Sequence, residues 1–174
     1  EDEKWELVRL LDENYHPANR IYRYNYFYDN CTTRARDKIE ECLTGKLCFP
    51  ACKEPFSYRD IIHLYTAGSE WSELGIDLCL GAAADVPIDE RKQMFAPFFL
   101  LEYAKEATVH RGDSIAPFVQ EVEKVVDVEE EEMSAGFPVS PLTCAWILLC
   151  LTCGVALWSY KTGKSSWLWD FFLF

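Results

Sequence analysis

The stretch YNYFYDNCTTRARD, which runs from Tyr24 to Asp37, decides how the rest of this 174-residue chain is interpreted. Aromatic side chains lead up to one thiol, that of Cys31, and polar and basic residues follow it. A cysteine of an apolar core would have apolar neighbours on both sides. Three roles remain open for Cys31 on this evidence: a nucleophile, a half-buried structural thiol, or one half of a disulfide bond.

A helix is predicted to begin at Cys31 and to end near Leu43, where Gly45 is a stop signal. Asn30 or Thr32 is its predicted N-cap. The N-terminus of a helix carries free N–H groups and partial positive charge, which favour a thiolate and can stabilise an oxyanion. Because the thiolate is the nucleophilic form of cysteine, this placement makes Cys31 the candidate catalytic residue.

Charged residues of the predicted helix complete the motif. Arg34 and Arg36 add positive charge to its first turns. Asp37 is interpreted as the ion-pair partner of one of these arginines, an arrangement that would fix the loop. Asn30 is interpreted as a helix cap, with the orientation of a histidine or an oxyanion hole as its alternative roles. Together with Thr32, these residues are the supporting set around the thiol.

The rest of the chain up to residue 136 is predicted to be mostly α-helical with few short strands. Helical spacing of apolar residues predicts a first helix within 3–14. The aromatic segment 20–28 favours extended chain or a short strand instead. Ser57 is the predicted N-cap of a further helix, and another helix is predicted to start near Asp89. Pro97 is expected to interrupt that helix or to begin a new helical piece.

The composition argues against several kinds of site. The net charge is −12 and there is no basic stripe, so nucleic acid is an unsuitable partner. The eight cysteines contain no repeated CxxC pair, and neither a metal site nor a cofactor is predicted. Cys42, Cys48 and Cys52 cluster in one segment, where disulfide bonds and free thiols remain open alternatives.

Residues 141–160, PLTCAWILLCLTCGVALWSY, contain no charged side chain. A helix of this length, at ~1.5 Å per residue, spans the ~30 Å hydrocarbon core of a membrane. Trp158 and Tyr160 suit the membrane interface, and Lys161 and Lys164 follow directly. A buried core helix is the alternative, but core helices are rarely apolar on every side over such a length. The segment is therefore predicted to be a transmembrane helix.

The charges on either side of this span predict its orientation. Acidic residues precede it and lysines follow it, so the positive-inside rule places residues 1–136 outside the cytoplasm. The chain begins at Glu1 without a signal peptide and ends in the apolar run WLWDFFLF. We therefore interpret it as a piece of a longer protein, in which 165–174 begin a second membrane span.

The motif YRYNYFYDNCTTRARD resembles the signature of the Lnb N-terminal periplasmic domain family. Two other parts of the chain are similar to the same family: WSELGIDLCLGAAADVPID followed by MFAPFFL, and the terminal WLWDFFLF. The resemblance thus extends from about Tyr22 onward. Members resemble circularly permuted papain-like cysteine enzymes related to NlpC-type hydrolases. This implies an α+β parent fold, of which residues 1–136 would be the C-terminal part.

The resemblance also implies an activity. The family includes bacterial lipoprotein N-acyltransferases, in which a catalytic domain on the periplasmic side of the inner membrane is joined to several membrane spans. These enzymes acylate the amino group of a lipoprotein's lipidated N-terminal cysteine. By resemblance, Cys31 matches the nucleophile, a membrane phospholipid is the acyl donor, and the diacylated lipoprotein N-terminus is the acceptor.

The histidines of the chain depart from this family. In permuted papain-like enzymes the catalytic histidine precedes the cysteine, in a Gly-His segment that this chain lacks. We interpret His16 as exposed, His63 as a packing or surface residue of a helix, and His110 as part of a turn. The chain is therefore expected to hold one half of a Cys–His pair and could be inactive by itself.

Three functions compete at this point. The first is a membrane-anchored acyltransferase that forms a thioester at Cys31. The second is an NlpC-type cysteine peptidase or amidase of the cell envelope, which would use water as the acceptor. The third is a non-catalytic, membrane-tethered domain in which Cys31 is structural. The apolar span and the family resemblance favour the first.

The predicted orientation can be measured by labelling cysteines in intact spheroplasts with a membrane-impermeant thiol reagent. We expect Cys31 and Cys52 to be labelled before lysis, because the positive-inside rule places the domain that carries them on the outer side. Labelling of either cysteine only after lysis would contradict this orientation.

Overall fold

A computed structural model of the chain describes residues 1–126, 137–164 and 167. Within these residues the protein is mostly helical, with a small three-stranded sheet and one candidate membrane-spanning helix, as the sequence predicts. The predicted end of the domain at 136 and the predicted second span at 165–174 lie outside the described residues, apart from Trp167. The described chain divides into two compact units: 1–65 with 80–126, and 66–79 with 137–164 and 167.

The elements follow one another as α1 (Asp2–Tyr15), α2 (Cys31–Cys42), β1 (Lys46–Cys48), α3 (Tyr58–Thr66), α4 (Glu70–Cys79), a 3₁₀ turn (Ala82–Asp85), α5 (Glu90–Gln93), α6 (Pro97–Glu106), β2 (Thr108–Arg111), β3 (Ser114–Pro117) and α7 (Pro141–Thr162). The predicted helix starts at Cys31, after Ser57, after Asp89 and at Pro97 are confirmed. Side-chain caps at Asn30, Ser57 and Asp89 and the proline at the first position of α6 act locally, which explains why the sequence reveals these starts.

The sheet of the first unit is antiparallel, with the strand order β1-β2-β3. A two-residue turn joins β2 to β3, and its Gly112 has a φ of 59°, a conformation that glycine adopts readily. His110 lies within β2, opposite Lys46 of β1. The prediction that His110 belongs to a turn is therefore wrong, because the turn begins two residues later.

Gly45 has to be glycine for two reasons. Its φ is 126°, a conformation that side chains with a Cβ rarely adopt. A Cβ built at this position would also lie 2.6 Å from the carbonyl oxygen of His110. The predicted stop signal of α2 thus also allows β1 to approach β2.

The core of the first unit is aromatic and aliphatic. Its buried members lie in α3 and in the segment that runs from the 3₁₀ turn to the start of α6: Tyr58, Ile61, Ala84, Ile88, Phe95 and Ala96. From the turn before α2, Phe27 packs on this core, with ring centroids 4.3 Å from Tyr58 and 5.4 Å from Phe95. Phe27 therefore connects the segment that precedes Cys31 to the core.

The second unit contains α4 and α7. The indole N–H of Trp71 in α4 donates a hydrogen bond of 2.8 Å to the carbonyl oxygen of Val139, and its ring meets Phe137 edge-on. α7 is capped by Ser140 and ends at Gly163, whose φ of 65° is left-handed. None of its apolar stretch is buried, and it is long and apolar enough to cross a membrane.

Two buried tyrosines of the first unit differ in hydrogen bonding. The Tyr103 hydroxyl donates to Oε1 of Gln93 at 2.8 Å. The Tyr58 hydroxyl has no hydrogen-bond partner in the part of the chain that the structure describes. Burial raises the pKa of Tyr58 to about 12, because the charged phenolate would be poorly solvated there.

Replacing each of these tyrosines by phenylalanine is expected to have opposite effects. Tyr58→Phe removes an unsatisfied buried hydroxyl and should raise the free energy of unfolding by up to about 1 kcal/mol. Tyr103→Phe leaves Oε1 of Gln93 without its hydrogen-bond donor and should lower the free energy of unfolding by about 1–3 kcal/mol. Urea unfolding of the full chain in detergent, followed by near-UV circular dichroism, measures both. Equal losses in the two variants would contradict the assigned hydrogen bonds.

Candidate functional site

Asn30 caps α2 through a reciprocal set of hydrogen bonds. Its Oδ1 accepts from the backbone N–H of Thr32 at 2.8 Å and of Thr33 at 2.9 Å. In return, the backbone N–H of Asn30 donates to Oγ1 of Thr33 at 2.9 Å, which completes a capping box. Asn30 is therefore the cap, as interpreted from the sequence, and Thr32 is a buried residue of the first turn.

The amide group of Asn30 also attaches the start of α2 to two other segments. Its Nδ2 donates to the carbonyl oxygen of Tyr26 at 2.8 Å and to that of Phe95 at 3.0 Å. Asn30 is only 4% exposed, and a buried amide is stable when both of its ends are hydrogen-bonded. These bonds fix where the first residue of α2 lies.

Cys31 is that first residue, and its side chain is exposed. The N–H groups of Thr32 and Thr33 are taken up by Asn30, and the N–H of Arg34 bonds to the carbonyl oxygen of Asn30 at 3.1 Å. Within the described residues, the backbone N–H of Cys31 has no hydrogen-bond partner. One free donor therefore lies next to the exposed thiol.

Arg34 is paired with the segment that precedes the helix. Its Nε and Nη2 donate to the two carboxylate oxygens of Asp29 at 2.6 and 2.9 Å. Its guanidinium carbon lies 3.4 Å from the centroid of the Tyr22 ring, in a cation–π contact. The hydrogen bonds from Arg34 hold the pKa of Asp29 below its usual value. Of the two arginines considered as partners of Asp37, Arg34 is thus paired with Asp29 instead.

Arg36 makes the predicted ion pair with Asp37. Its Nη2 donates to Asp37 at 2.7 Å, and its Nη1 donates to the carbonyl oxygen of Arg91 at 2.8 Å. Arg91 in turn donates to Asp37 and to Glu40 at 2.7–2.9 Å. Arg36 is buried, and the hydrogen bonds of this network join α2 to α5. Both arginines of the motif therefore have carboxylate partners of their own.

Two histidines are placed by the packing of α1, α2 and the sheet. His110 lies in β2, opposite Lys46 of β1, which follows the C-terminal end of α2, whereas Cys31 is the first residue of that helix. Glu3, near the start of α1, bonds to Thr44 just after α2 at 2.7 Å, so the two packed helices run in opposite directions. His16 follows α1 and therefore lies at the end of the pair where α2 begins.

The thiols and the histidines form no paired site in the described part of the chain. No histidine is hydrogen-bonded to Cys31 there. His16 is exposed, as interpreted from the sequence. All eight cysteines are free thiols, which decides the alternative left open for Cys42, Cys48 and Cys52. Nor do the described residues include a group of three His, Cys, Asp or Glu side chains that could hold a metal ion.

A comparison with protein families recognises the part of the chain that carries this site. Residues 2–64 match the Lnb N-terminal periplasmic domain family. The family inferred from the Cys31 motif is thereby confirmed. The match begins before Tyr22, so it includes α1, and it ends before the later stretches that the resemblance also used. No curated protein and no solved structure matches the chain.

The match of residues 2–64 to this periplasmic domain family and the apolar helix α7 fit a membrane-associated protein. The matched residues contain α1, α2 and most of α3. Cys31, its cap and both arginine pairs lie on or beside this segment. The residues of the candidate site therefore lie in or beside the part of the chain that matches the family.

The two roles of Asn30 can be separated with Asn30→Asp. Aspartate caps a helix as well as asparagine does, but it cannot donate to the carbonyl oxygens of Tyr26 and Phe95. We expect this variant to lower the free energy of unfolding by about 1–3 kcal/mol. The matched control is Asp89→Asn, at the exposed cap of α5, where the acceptor for Lys92 is retained and the change should stay below about 0.5 kcal/mol. An Asn30→Asp protein as stable as this control would show that the donated bonds contribute nothing.

Proposed function

We propose that this protein is a membrane-anchored cysteine acyltransferase that N-acylates bacterial lipoproteins through a thioester at Cys31. The observation that carries the proposal is the exposed Cys31 thiol at the start of a capped helix, within the segment that matches the Lnb family. The apolar helix α7 supports a donor that resides in a membrane. The proposed location is the bacterial inner membrane, with Cys31 on the periplasmic side.

In the first half of the proposed reaction, the thiolate of Cys31 attacks the ester carbonyl carbon of a membrane phospholipid. A C–S bond forms, and the carbonyl oxygen becomes an oxyanion that can accept a hydrogen bond from the free N–H of Cys31. Collapse of this intermediate breaks the C–O bond to glycerol. The alcohol leaves with the proton that the thiol lost, and the acyl group remains on Cys31 as a thioester.

In the second half, the amino group of the diacylated lipoprotein N-terminus attacks the thioester carbonyl. A C–N bond forms and the C–S bond breaks. The amine loses a proton, the Cys31 sulfur regains one, and the product is an amide. The acyl group has then moved from a lipid oxygen to a protein nitrogen, with no change in oxidation state.

Both halves require a general base that accepts and returns a proton near Cys31. By resemblance to permuted papain-like enzymes, this base is a histidine of a Gly-His segment upstream of the cysteine. His16, His63 and His110 lie outside such a segment, although His16 is placed at the Cys31 end of α1 and α2. The proposed activity therefore concerns the complete protein.

Cys31→Ser in the complete protein is expected to abolish lipoprotein N-acylation while leaving its abundance in the membrane unchanged. Serine keeps the size of the side chain but is a far weaker nucleophile at neutral pH. Mass spectrometry of lipoprotein N-termini, in a strain that lacks its own enzyme, provides the measurement.

The matched control for this variant is Cys79→Ser. Cys79 is also an exposed thiol, but it lies at the end of α4 outside the Lnb match, so acylation should remain close to that of the unchanged protein. Full acylation by the Cys31→Ser protein would rule out the thioester mechanism. Release of free fatty acid without acylated lipoprotein would instead identify a hydrolase.

A further inference from the structure

The segment that leads to Cys31 exposes a row of aromatic rings. Tyr24, Tyr26 and Tyr28 are 55%, 56% and 63% exposed. Large aromatic side chains usually bury most of their surface, so an exposed row of them indicates a surface that meets another apolar group. Phe27 is the member of this segment that packs deepest against the core. We call Tyr22, Tyr24, Tyr26 and Tyr28 the tyrosine row.

The turn that carries Tyr26 and Tyr28 is closed by its own backbone. Asn25 and Asp29 exchange two hydrogen bonds of 3.0 Å. The side-chain oxygen of Asn25 also accepts from the N–H groups of Phe27 and Tyr28 at 3.1 Å. These bonds fix the shape of the turn. Its placement on α2 comes from the hydrogen bond that Asn30 donates to Tyr26 and from the packing of Phe27 on the core.

Arg34 provides a contact between this segment and α2. Its guanidinium forms two hydrogen bonds with Asp29 at one end of the segment, and it lies over the ring of Tyr22 at the other end. One planar group thus holds both ends of the stretch that contains Tyr24. A lysine could not replace it, because an ammonium group lacks the fork of donors and the flat face.

The contact between Arg34 and Tyr22 continues to a second ring, that of Tyr24. The rings of Tyr22 and Tyr24 are 6.2 Å apart. Desolvation of the Tyr24 hydroxyl, and to a smaller extent the nearby Cys31 thiol, raise the pKa of Tyr24. Cys31 and Arg34 lie three positions apart on α2 and therefore share a face of that helix. Tyr22, which lies against Arg34, and its neighbour Tyr24 are thus on the side of α2 that carries the thiol.

We propose that Arg34 is a positioning residue, which holds Tyr22 and Tyr24 of the tyrosine row beside Cys31 as a wall for the apolar part of the acyl donor. This inference rests on the proposed function, since it takes Cys31 to be the nucleophile. It differs from the electrostatic role that the sequence suggests for Arg34. The charge of Arg34 is paired with Asp29, so its effect on the reaction passes through the placement of the aromatic rings.

The proposal can be tested on the full chain in detergent, without any acyl substrate. Cys31 is alkylated with N-phenylmaleimide and, separately, with N-ethylmaleimide, and peptide mass spectrometry gives the rate at each cysteine. In either reaction the sulfur adds to the maleimide double bond, and the thiol proton ends on the neighbouring carbon. The ratio of the two rates at Cys31, divided by the same ratio at exposed Cys79, measures the preference for an aromatic group. This division also corrects for partition of the reagents into detergent.

We expect the normalised ratio to exceed one in the unchanged protein. Arg34→Lys should lower it by about threefold, the factor that corresponds to the loss of one exposed cation–π contact. Tyr22→Ala should lower it as well, whereas Tyr22→Phe keeps the ring and should preserve it. The matched control is Arg9→Lys, because Arg9 makes a similar two-bond pair with Glu6 but holds no loop, and the ratio should not change.

An unchanged ratio in Arg34→Lys would overturn the proposal. Alkylation of Cys42, which is buried in the folded protein, would also overturn it, because Arg34 would then act only by maintaining the fold. The result is independent of the acylation assay. A lowered ratio together with full acylation by Cys31→Ser would leave the placement of the tyrosine row established and the acyltransferase function refuted.

Discussion

The side chain of Asn30 satisfies the constraint on which the site depends. A helix that starts inside a domain must find partners for its first N–H groups, and a buried amide must find partners for both of its ends. Asn30 meets both requirements, since it accepts from Thr32 and Thr33 and donates to Tyr26 and Phe95. Three segments meet at this residue: the aromatic turn, α2, and the junction between α5 and α6.

This arrangement determines what the start of α2 can offer a reacting group. The capping interactions occupy the N–H groups that follow Cys31, so the free donor beside the thiol is the N–H of Cys31 itself. Because thiol and donor belong to one residue, their relative placement does not depend on a flexible side chain. The acyl-enzyme chemistry proposed for this protein requires such a pairing of nucleophile and oxyanion donor.

The charges of the motif contribute mainly to structure. Arg34 joins α2 to the segment before it, and Arg36 joins α2 to α5 through Asp37 and the carbonyl oxygen of Arg91. Both guanidinium groups have carboxylate partners, so these arginines act on the site by holding α2 against its neighbours.

The sequence by itself determined the features that depend on a few neighbouring residues. Asn30, Ser57, Asp89 and Pro97 reveal helix starts because a cap acts within one turn, and Gly45 reveals a stop because its φ is positive. The candidate membrane helix α7 follows from uninterrupted apolar composition. The motif around Cys31 was equally local, and it pointed to the Lnb family.

Only the tertiary structure decided which groups lie opposite one another. Asn30 donates to the carbonyl oxygen of Phe95, 65 positions away, and Arg36 donates to that of Arg91, 55 positions away. No local sequence pattern predicts these partners. The same applies to His110, whose neighbours suggest a turn but whose pairing with Lys46 places it in a strand. Local preferences set where the elements begin, whereas burial of the aromatic core brings distant segments together and decides which polar groups become partners.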